Sequence, residues 1–534
     1  MQSGADSRLD EAPSPGLPIV DRRFALGAFL ALTGACVVLW AIGWILRDWV
    51  SAWPRFSDDA YYYLVIAQNA VAGHGFTMDR ISPTNGFHPL WMWTLLPVVK
   101  VAGGDIHALL LTVQALCVLL FACAGGILCG LARTRAGAAP AYLVGLMLMF
   151  PRIENSALSG LESALVLLLL VLLIAELLRG GALWSAEPRQ ADARVGGLVG
   201  LLLLGRLDSV FLASSLAVYV LVHGLWRGEG AFGTRLWRVV RKELALFWPT
   251  LVLVIPYLVS NQLAFGRMMP VSGALKTSFP VAGWSPHHLN VEHLGLLALA
   301  VGGCAIELWR GRGRDPLVRL LALFAAGMTA HALYTVLYMR WAVMIWHFIT
   351  FVPVGALALA LLARDVVPRL SRRTVIAALA LLTLLQAGAL AISLSNLGRT
   401  WTVAAHEAGL WVAANLPDDA LLAMKDSGIF SYYAQRRVMN LDGLANSFEY
   451  ARTVCEGRVD DFLQRHGVQY VAQHSVPAAV QTGDYEVFER VYHCRLRGGV
   501  DSSLRLRRER EVFRSRPYLD STGRPDQLVI WRID

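Results

Sequence analysis

Long apolar runs set the pattern of this chain. Stretches near 24–46, 105–131, 139–151, 162–178, 195–205, 209–225, 244–260, 293–309, 317–338, 345–363 and 374–394 carry almost no charge, and most approach the roughly 20 apolar residues a helix needs to cross a bilayer. About eleven transmembrane helices are predicted. Between the first two runs, residues 59–72 (DAYYYLVIAQNAVA) and 88–103 (HPLWMWTLLPVVKVAG) are amphipathic and aromatic but too short to span, which predicts helices lying flat at the membrane interface. After about 396 the long runs stop. A helical period over His406–Asn415, strand-like Leu421–Lys425, the segment Ser427–Ala434, a strand at Arg437–Leu441, a helix near 448–466 and strands at Val468–Gln473 and Gln527–Arg532 predict a small α/β domain of about 130 residues.

Composition narrows the class. The 534 residues are 56% hydrophobic and 16% charged, with a mean hydropathy of +0.49, whereas a soluble chain carries about 25% charge. Soluble multidomain, disordered, collagen-like and disulfide-framework proteins are excluded. The net charge of +9 does not point to nucleic acid, because no stretch interleaves basic with aromatic residues. The arginines sit in loops instead. Counting from Arg22-Arg23 ahead of the first run, alternate loops hold Arg133 and Arg135; Arg179, Arg189 and Arg194; Arg227, Arg235, Arg238, Arg241 and Lys242; Arg310, Arg312 and Arg314; and Arg364, Arg369, Arg372 and Arg373. The other turns hold isolated cations such as Arg152, Arg206 and Arg340. Basic loops stay cytoplasmic, so the N-terminus is expected inside, and the loops 47–104 and 261–292 and the part after 396 outside.

The chain thus divides into a disordered cytoplasmic tail, 1–21, rich in Pro, Ser, Gly and acid; a transmembrane domain, 22–395; and an extracytoplasmic α/β domain, 396–534. Cys36, Cys117, Cys123, Cys129 and Cys304 fall inside apolar runs and read as small hydrophobes. Cys455 and Cys494 lie in the outer domain, where an oxidising compartment permits pairing; spacing alone leaves open whether they pair.

The candidate chemistry gathers in the first outer loop. Ser57-Asp58-Asp59-Ala60-Tyr61-Tyr62-Tyr63 follows the first span. An exposed carboxylate there is suited to act as general base toward a hydroxyl, and equally suited to stabilise the start of a helix at Ala60. Downstream stand Gly73-His74-Gly75-Phe76-Thr77 and Pro83-Thr84-Asn85-Gly86-Phe87-His88-Pro89-Leu90-Trp91, then Ser159-Gly160-Leu161-Glu162-Ser163-Ala164-Leu165, Arg206-Leu207-Asp208 and Val438-Met439-Asn440-Leu441-Asp442-Gly443-Leu444.

In their order and common outward placement these segments resemble the GT-C superfamily of integral membrane glycosyltransferases, which use polyprenyl-phosphate-linked sugars. The resemblance covers most of the chain. It implies an inverting transfer at the outer face of a bacterial cytoplasmic membrane, from a polyprenyl-phosphate sugar donor to a hydroxyl of a glycan, lipid or protein acceptor. By position Asp58 matches the superfamily's catalytic aspartate and Asp59 its acidic neighbour. Where aminoarabinose transferases of the superfamily carry Lys-Pro-Pro near the second interfacial helix, this chain has Phe87-His88-Pro89, so His88 would be a weaker, pH-dependent phosphate partner. The outer domain resembles that of the arabinofuranosyl branch; the sugar is a pentofuranose on that reading, or a hexose such as mannose.

Displacing a polyprenyl phosphate builds negative charge that fixed cations stabilise, and Arg206, Lys276 and Arg340 are the candidates, with Glu162 and Tyr62 beside them in the substrate site. Arg206 with Asp208 reads equally as a structural latch, Lys276 as a solvated loop lysine, and Glu162 as a helix N-terminal charge. His331 and His347 read as packed histidines. Asp58, Asp59 and Glu162 supply the oxygen ligands a divalent cation would use, though their spacing does not demand one, and no cofactor is indicated. The rival class is a transporter or flippase for a polyprenyl-linked sugar or another lipid. Transporters place ionisable groups at the bilayer midplane and show repeats, whereas the carboxylates here gather at one face.

Overall fold

The computed structural model describes residues 19–46, 56–185, 187–227, 229–395, 401–477, 485–489, 494, 498–500, 502–519 and 523–533. Residues 1–18 of the expected tail, and 47–55 of the first outer loop, lie outside these. The membrane part runs α1 (Arg22–Leu46), α2 (Asp58–Val71), α3 (Pro89–Ala102), α4 (Ile106–Ala136), α5 (Ala138–Leu148), α6 (Pro151–Ala157), α7 (Ser163–Gly180), α8 (Gln190–Gly205), α9 (Val210–Arg227), α10 (Phe232–Phe265), α11 (Val271–Lys276), α12 (Val291–Trp309), α13 (Pro316–Tyr338), α14 (Phe351–Val366) and α15 (Arg372–Ser395).

Nine helices among the described residues are long and apolar enough to cross a membrane, α14 among them because a 3-10 turn, Val367–Arg369, extends it. Two of the eleven expected spans are shorter. Near 139–151 the chain forms α5, of 11 residues, and near 195–205 it forms α8, of 16 residues; at 1.5 Å per residue these are about 16 and 24 Å long, short of a hydrocarbon core of about 30 Å. Hydropathy alone does not see that Pro151 starts a new helix after α5.

Several cations of the basic loops are ion-paired at the end of the bundle away from α2 and α3. Arg194 reaches Glu176 at 2.6 Å and Lys242 reaches Asp192 at 2.7 Å. A second knot joins α12 to α14, with Arg312 on Asp365 at 2.5 Å and Arg364 on Glu307 at 2.8 Å. Each of these four carboxylates is therefore matched by a cation, as the burial of Glu176, Asp192 and Glu307 requires.

Beyond α15 the chain forms α16 (Trp401–Asn415), β1 (Leu421–Met424), α17 (Gly428–Ala434), β2 (Arg437–Asn440), α18 (Phe448–Cys455), α19 (Val459–Arg465), β3 (Tyr470–Pro477), β4 (Tyr485–Glu489), β5 (Ser502–Leu506), β6 (Glu511–Arg514), β7 (Tyr518–Leu519) and β8 (Pro525–Arg532). The main sheet has the order β2-β1-β3-β8-β6, with β7 also on β8. β1 is parallel to β2 and β3, and β3 antiparallel to β8. The strand period of two divides each strand between two cores. Leu422, Met424, Val438, Ala472 and Ile530 join the core that continues into the helical bundle. Leu421, Ala423, Met439, Val471 and Trp531 face the other way, with α18, α19 and the α11 residues Val271 and Leu275. Cys455 and Cys494 form a disulfide, with Cα atoms 5.1 Å apart.

The two short helices of the first loop form where expected, but α2 does not present its aromatic face to lipid. Ala60 to Ala67 are all buried, with α17 of the C-terminal domain against them; Tyr61 meets Tyr432 edge-on, with ring centroids 5.2 Å apart. Aromatic amphipathicity reads the same whether the partner is lipid or protein.

Candidate functional site

Docking of α2 on the C-terminal domain separates the two adjacent aspartates. Both carboxylate oxygens of Asp58 accept backbone N–H groups at the start of α17, from Gly428 at 2.9 Å and Ile429 at 2.8 Å. The approach is so close that a Cβ on Gly428 would lie 2.0 Å from the Asp58 carbonyl oxygen. Burial pushes the Asp58 carboxyl up to about 8, against the opposing pull of the two amides. Asp59, one residue on, instead lines a cavity of about 490 Å³. Burial raises it to about 6, with Lys276 opposing and Asp442 adding.

The tyrosines following Asp59 tie the loop to its surroundings. Tyr62 Oη donates to Asp442 Oδ2 at 2.6 Å and accepts from the Ser427 N–H at 3.1 Å. Tyr63 Oη accepts from the His88 N–H at 2.9 Å and donates to Glu162 Oε2 at 3.4 Å. Asn85 accepts from Val271 N–H at 3.0 Å, which pins the 261–292 loop to the first loop, and Thr84 Oγ1 donates to the Asn446 carbonyl at 2.9 Å. A Cβ at Gly86 would fall 1.8 Å from the carbonyl oxygen of Leu444. First loop, second long loop and C-terminal domain thus enclose one space.

Arg206 crosses the cavity wall between α8 and α9, only 3% exposed. Its Nη1 bonds Glu162 Oε1 at 2.7 Å, while its Nε and Nη2 hold Asp208 bidentately at 3.1 and 2.5 Å. These two carboxylates push its pKa above the usual arginine range despite burial. His88 Nε2 stands 3.8 Å from the same Glu162 oxygen, and burial holds His88 below the ordinary histidine range. His331 is packed as expected, stacked between Phe211 and Phe348 at 5.1 and 4.8 Å, yet it also borders the cavity, with its Nε2 3.9 Å from Asp208.

Of the residues singled out in the sequence, Asp59, Tyr62, His88, Glu162, Arg206 and Lys276 line the cavity together. Two do not. Asp58 is committed to α17, and Arg340 turns to backbone, donating to the carbonyls of Met339 and Leu337 at 2.7 Å each. The cation trio is likewise split, since Glu162 is held by Arg206; among the described residues no group of three His, Cys, Asp or Glu side chains is placed to hold a metal ion. The cavity also contains Asp208, His331, Tyr334, Trp346 and His347, from positions more than 100 residues apart that no local pattern links. Its other side is apolar, with Leu203, Val210, Phe211, Val254 and Leu258 from α8, α9 and α10.

With this geometry the chain is similar to ArnT from Cupriavidus metallidurans, seen in a crystal structure bound to undecaprenyl phosphate and in another in the apo state. For both the TM-score is 0.55 at 16% identity, over 95% of this chain and 98% of that one. The chain therefore has the fold of ArnT, a multispan helical membrane fold with a C-terminal sheet-containing domain, as expected from the sequence. A looser likeness is to archaeal AglB from Archaeoglobus fulgidus, an oligosaccharyltransferase in complex with an inhibitory peptide and a dolichol-phosphate, with a TM-score of 0.49 at 14% identity over 84% of this chain and 69% of that one. Residues 395–518 match a domain of unknown function, DUF8728. No curated protein matches the sequence.

Proposed function

We propose that this chain is an inverting glycosyltransferase that moves a sugar from a polyprenyl-phosphate donor to an acceptor hydroxyl, with Asp59 as general base. The observation that carries the reading is one cavity in which Asp59, a carboxylate of suitable proton affinity, shares the space with Lys276 and an apolar side formed by α8, α9 and α10. A base works best with a pKa near the working pH, and Asp59 at about 6 is ionised at neutrality while still able to take a proton. Asp58, raised to about 8 by burial, has both oxygens bonded to backbone amides and does not line the cavity. It serves as a positioning group that fixes the start of α2, so the roles first expected of the two aspartates are exchanged.

In the proposed step the acceptor oxygen attacks the anomeric carbon as Asp59 takes its proton. The bond from that carbon to the donor phosphate oxygen breaks, and its electron pair leaves with the phosphate. Lys276 stabilises the departing charge. The apolar side suits the polyprenyl chain, and the protein sharing this fold has been captured with undecaprenyl phosphate. Arg206, already matched by two carboxylates, holds the α8–α9 turn.

The site belongs to the outer face in this reading. The basic loops suit a cytoplasmic end and the Cys455–Cys494 disulfide suits an oxidising compartment; both support a C-terminal domain outside a bacterial inner membrane. The acceptor is a glycan, lipid or protein hydroxyl. Purified full-length protein in lipid, offered a panel of radiolabelled polyprenyl-phosphate pentoses and hexoses, is expected to transfer or hydrolyse one of them. Equal binding of every donor with no turnover would favour translocation and fail this reading.

A further inference from the structure

The cavity is short of positive charge for the ligand just proposed. Asp59, Glu162 and Asp208 line it against Arg206 and Lys276, and Arg206 is already paired on both sides. Lys276 alone would face the phosphate. A polyprenyl-phosphate sugar is a phosphodiester with one negative charge, but the lipid phosphate left after transfer is a monoester whose second ionisation lies near pH 6. The site must therefore accommodate a second charge that forms during the reaction.

His347 is built to answer it. Its Nδ1 lies 3.1 Å from both the N–H and the C=O of Met344. The neutral ring accepts from that N–H, and the protonated ring donates to that C=O, so the backbone anchors either state without moving the ring. Nε2–H has no hydrogen-bond partner among the described residues, and His347 lines the cavity. The segment carrying it is tied to the one carrying Lys276, since the Arg340 N–H donates to the Lys276 carbonyl at 2.9 Å and Thr277 pairs with Met339. Burial holds His347 well below the ordinary histidine range, with Lys276 and Arg206 adding to the effect and Asp208 opposing it; it is neutral at pH 7 until an anion arrives. The other titratable groups on the cavity wall are Asp59, Tyr62, Tyr63, His88, Glu162, His331 and Tyr334.

We propose that His347 and Lys276 together form the phosphate subsite of this cavity, and that His347 takes up a proton when a phosphate monoester binds. This rests on the donor reading above. During turnover the uptake balances the proton that Asp59 removes from the acceptor hydroxyl; with free lipid phosphate it comes from solvent.

The test is calorimetric titration of undecaprenyl phosphate into full-length protein in nanodiscs at pH 7.5, in two buffers of unlike ionisation enthalpy. The wild type should take up close to one proton, and its affinity should rise by up to about tenfold per unit fall in pH. His347→Asn, whose amide can still meet Met344, should bind about tenfold more weakly near pH 6.5 and take up none, while Asp59→Asn and His88→Gln keep the uptake. Uptake in His347→Asn equal to wild type would overturn the inference and leave the donor reading standing. Wild type binding undecaprenyl phosphate no better than undecaprenol would overturn both. Inorganic phosphate binding as tightly as the lipid, with the same His347-dependent uptake, would support the subsite but move it from a lipid head group to free phosphate.

Discussion

Tyr62 and Asp442 stand 380 residues apart in the chain and meet through a 2.6 Å hydrogen bond. Burial raises the Asp442 carboxyl, with Asp426 adding and the bonds from Tyr62 and Asn440 opposing. The bond joins the helix carrying the candidate base to the turn after β2, so the C-terminal domain forms part of the site. Tyr62→Phe removes one donor from a buried acid. We expect a loss of about 1.5–3 kcal/mol, read as a lowered thermal midpoint of the C-terminal domain, with transfer reduced because α2 loses its anchor.

Gly428 and Gly86 are where the domain and the first loop approach too closely for any side chain. Gly428→Ala should overpack the Asp58 contact and destabilise the docked state by about 1–3 kcal/mol. Hydrogen exchange at the amides of Gly428 and Ile429 measures this directly, and faster exchange there, with β1 and β3 still protected, is the expected result.

Arg206 is predicted to matter for folding before binding. Arg206→Met leaves the buried Glu162 and the half-buried Asp208 without their cation, expected to cost about 3–5 kcal/mol. The triple change of Arg206, Glu162 and Asp208 to Met, Gln and Asn should recover much of that stability in a thermal melt. A triple variant as unstable as the single one would contradict the charge-matching account.

The Cys455–Cys494 bond closes a loop with a sequence separation of 39. Its removal by paired substitution with Ser should lower the stability of the C-terminal domain by about 2–4 kcal/mol. Transfer measured below the new midpoint should persist, because neither cysteine lies on the cavity.

Much of this was legible in the sequence wherever the information is local. Apolar runs located the nine long helices, and the period of two found β1, β2, β3 and β8. Strands β4 to β7 were missed, since they are short, polar on one side and set among arginines such as Arg505, Arg507 and Arg508. The site was half legible. Turn residues and an acidic pair flagged the first loop, but which aspartate faces the cavity depends on α17, more than 360 residues away. The pairing of Arg206 with Asp208 was open in the sequence, but nothing local to Arg206 announces Glu162, 44 positions earlier. His347 looked like packing because nothing local to it announces Lys276, 71 positions earlier, on the same cavity.

The pH dependence follows from Asp59. Its carboxyl is raised to about 6, so the ionised base is present above that pH and is lost as pH falls through it. Transfer should drop about tenfold per pH unit below about 6, and a rate flat down to pH 5 would argue against Asp59 as base.

The most direct measurement is transfer from the donor that the panel identifies, by Asp59→Asn and Asp58→Asn proteins side by side, each normalised to folded protein. Asp59→Asn should keep the wild-type melt and lose about 10²–10⁴-fold in rate. Asp58→Asn should show a loosened C-terminal domain and retain substantial transfer per folded molecule. The reverse pattern, full activity in Asp59→Asn and none in a well-folded Asp58→Asn, would contradict the assignment of the base.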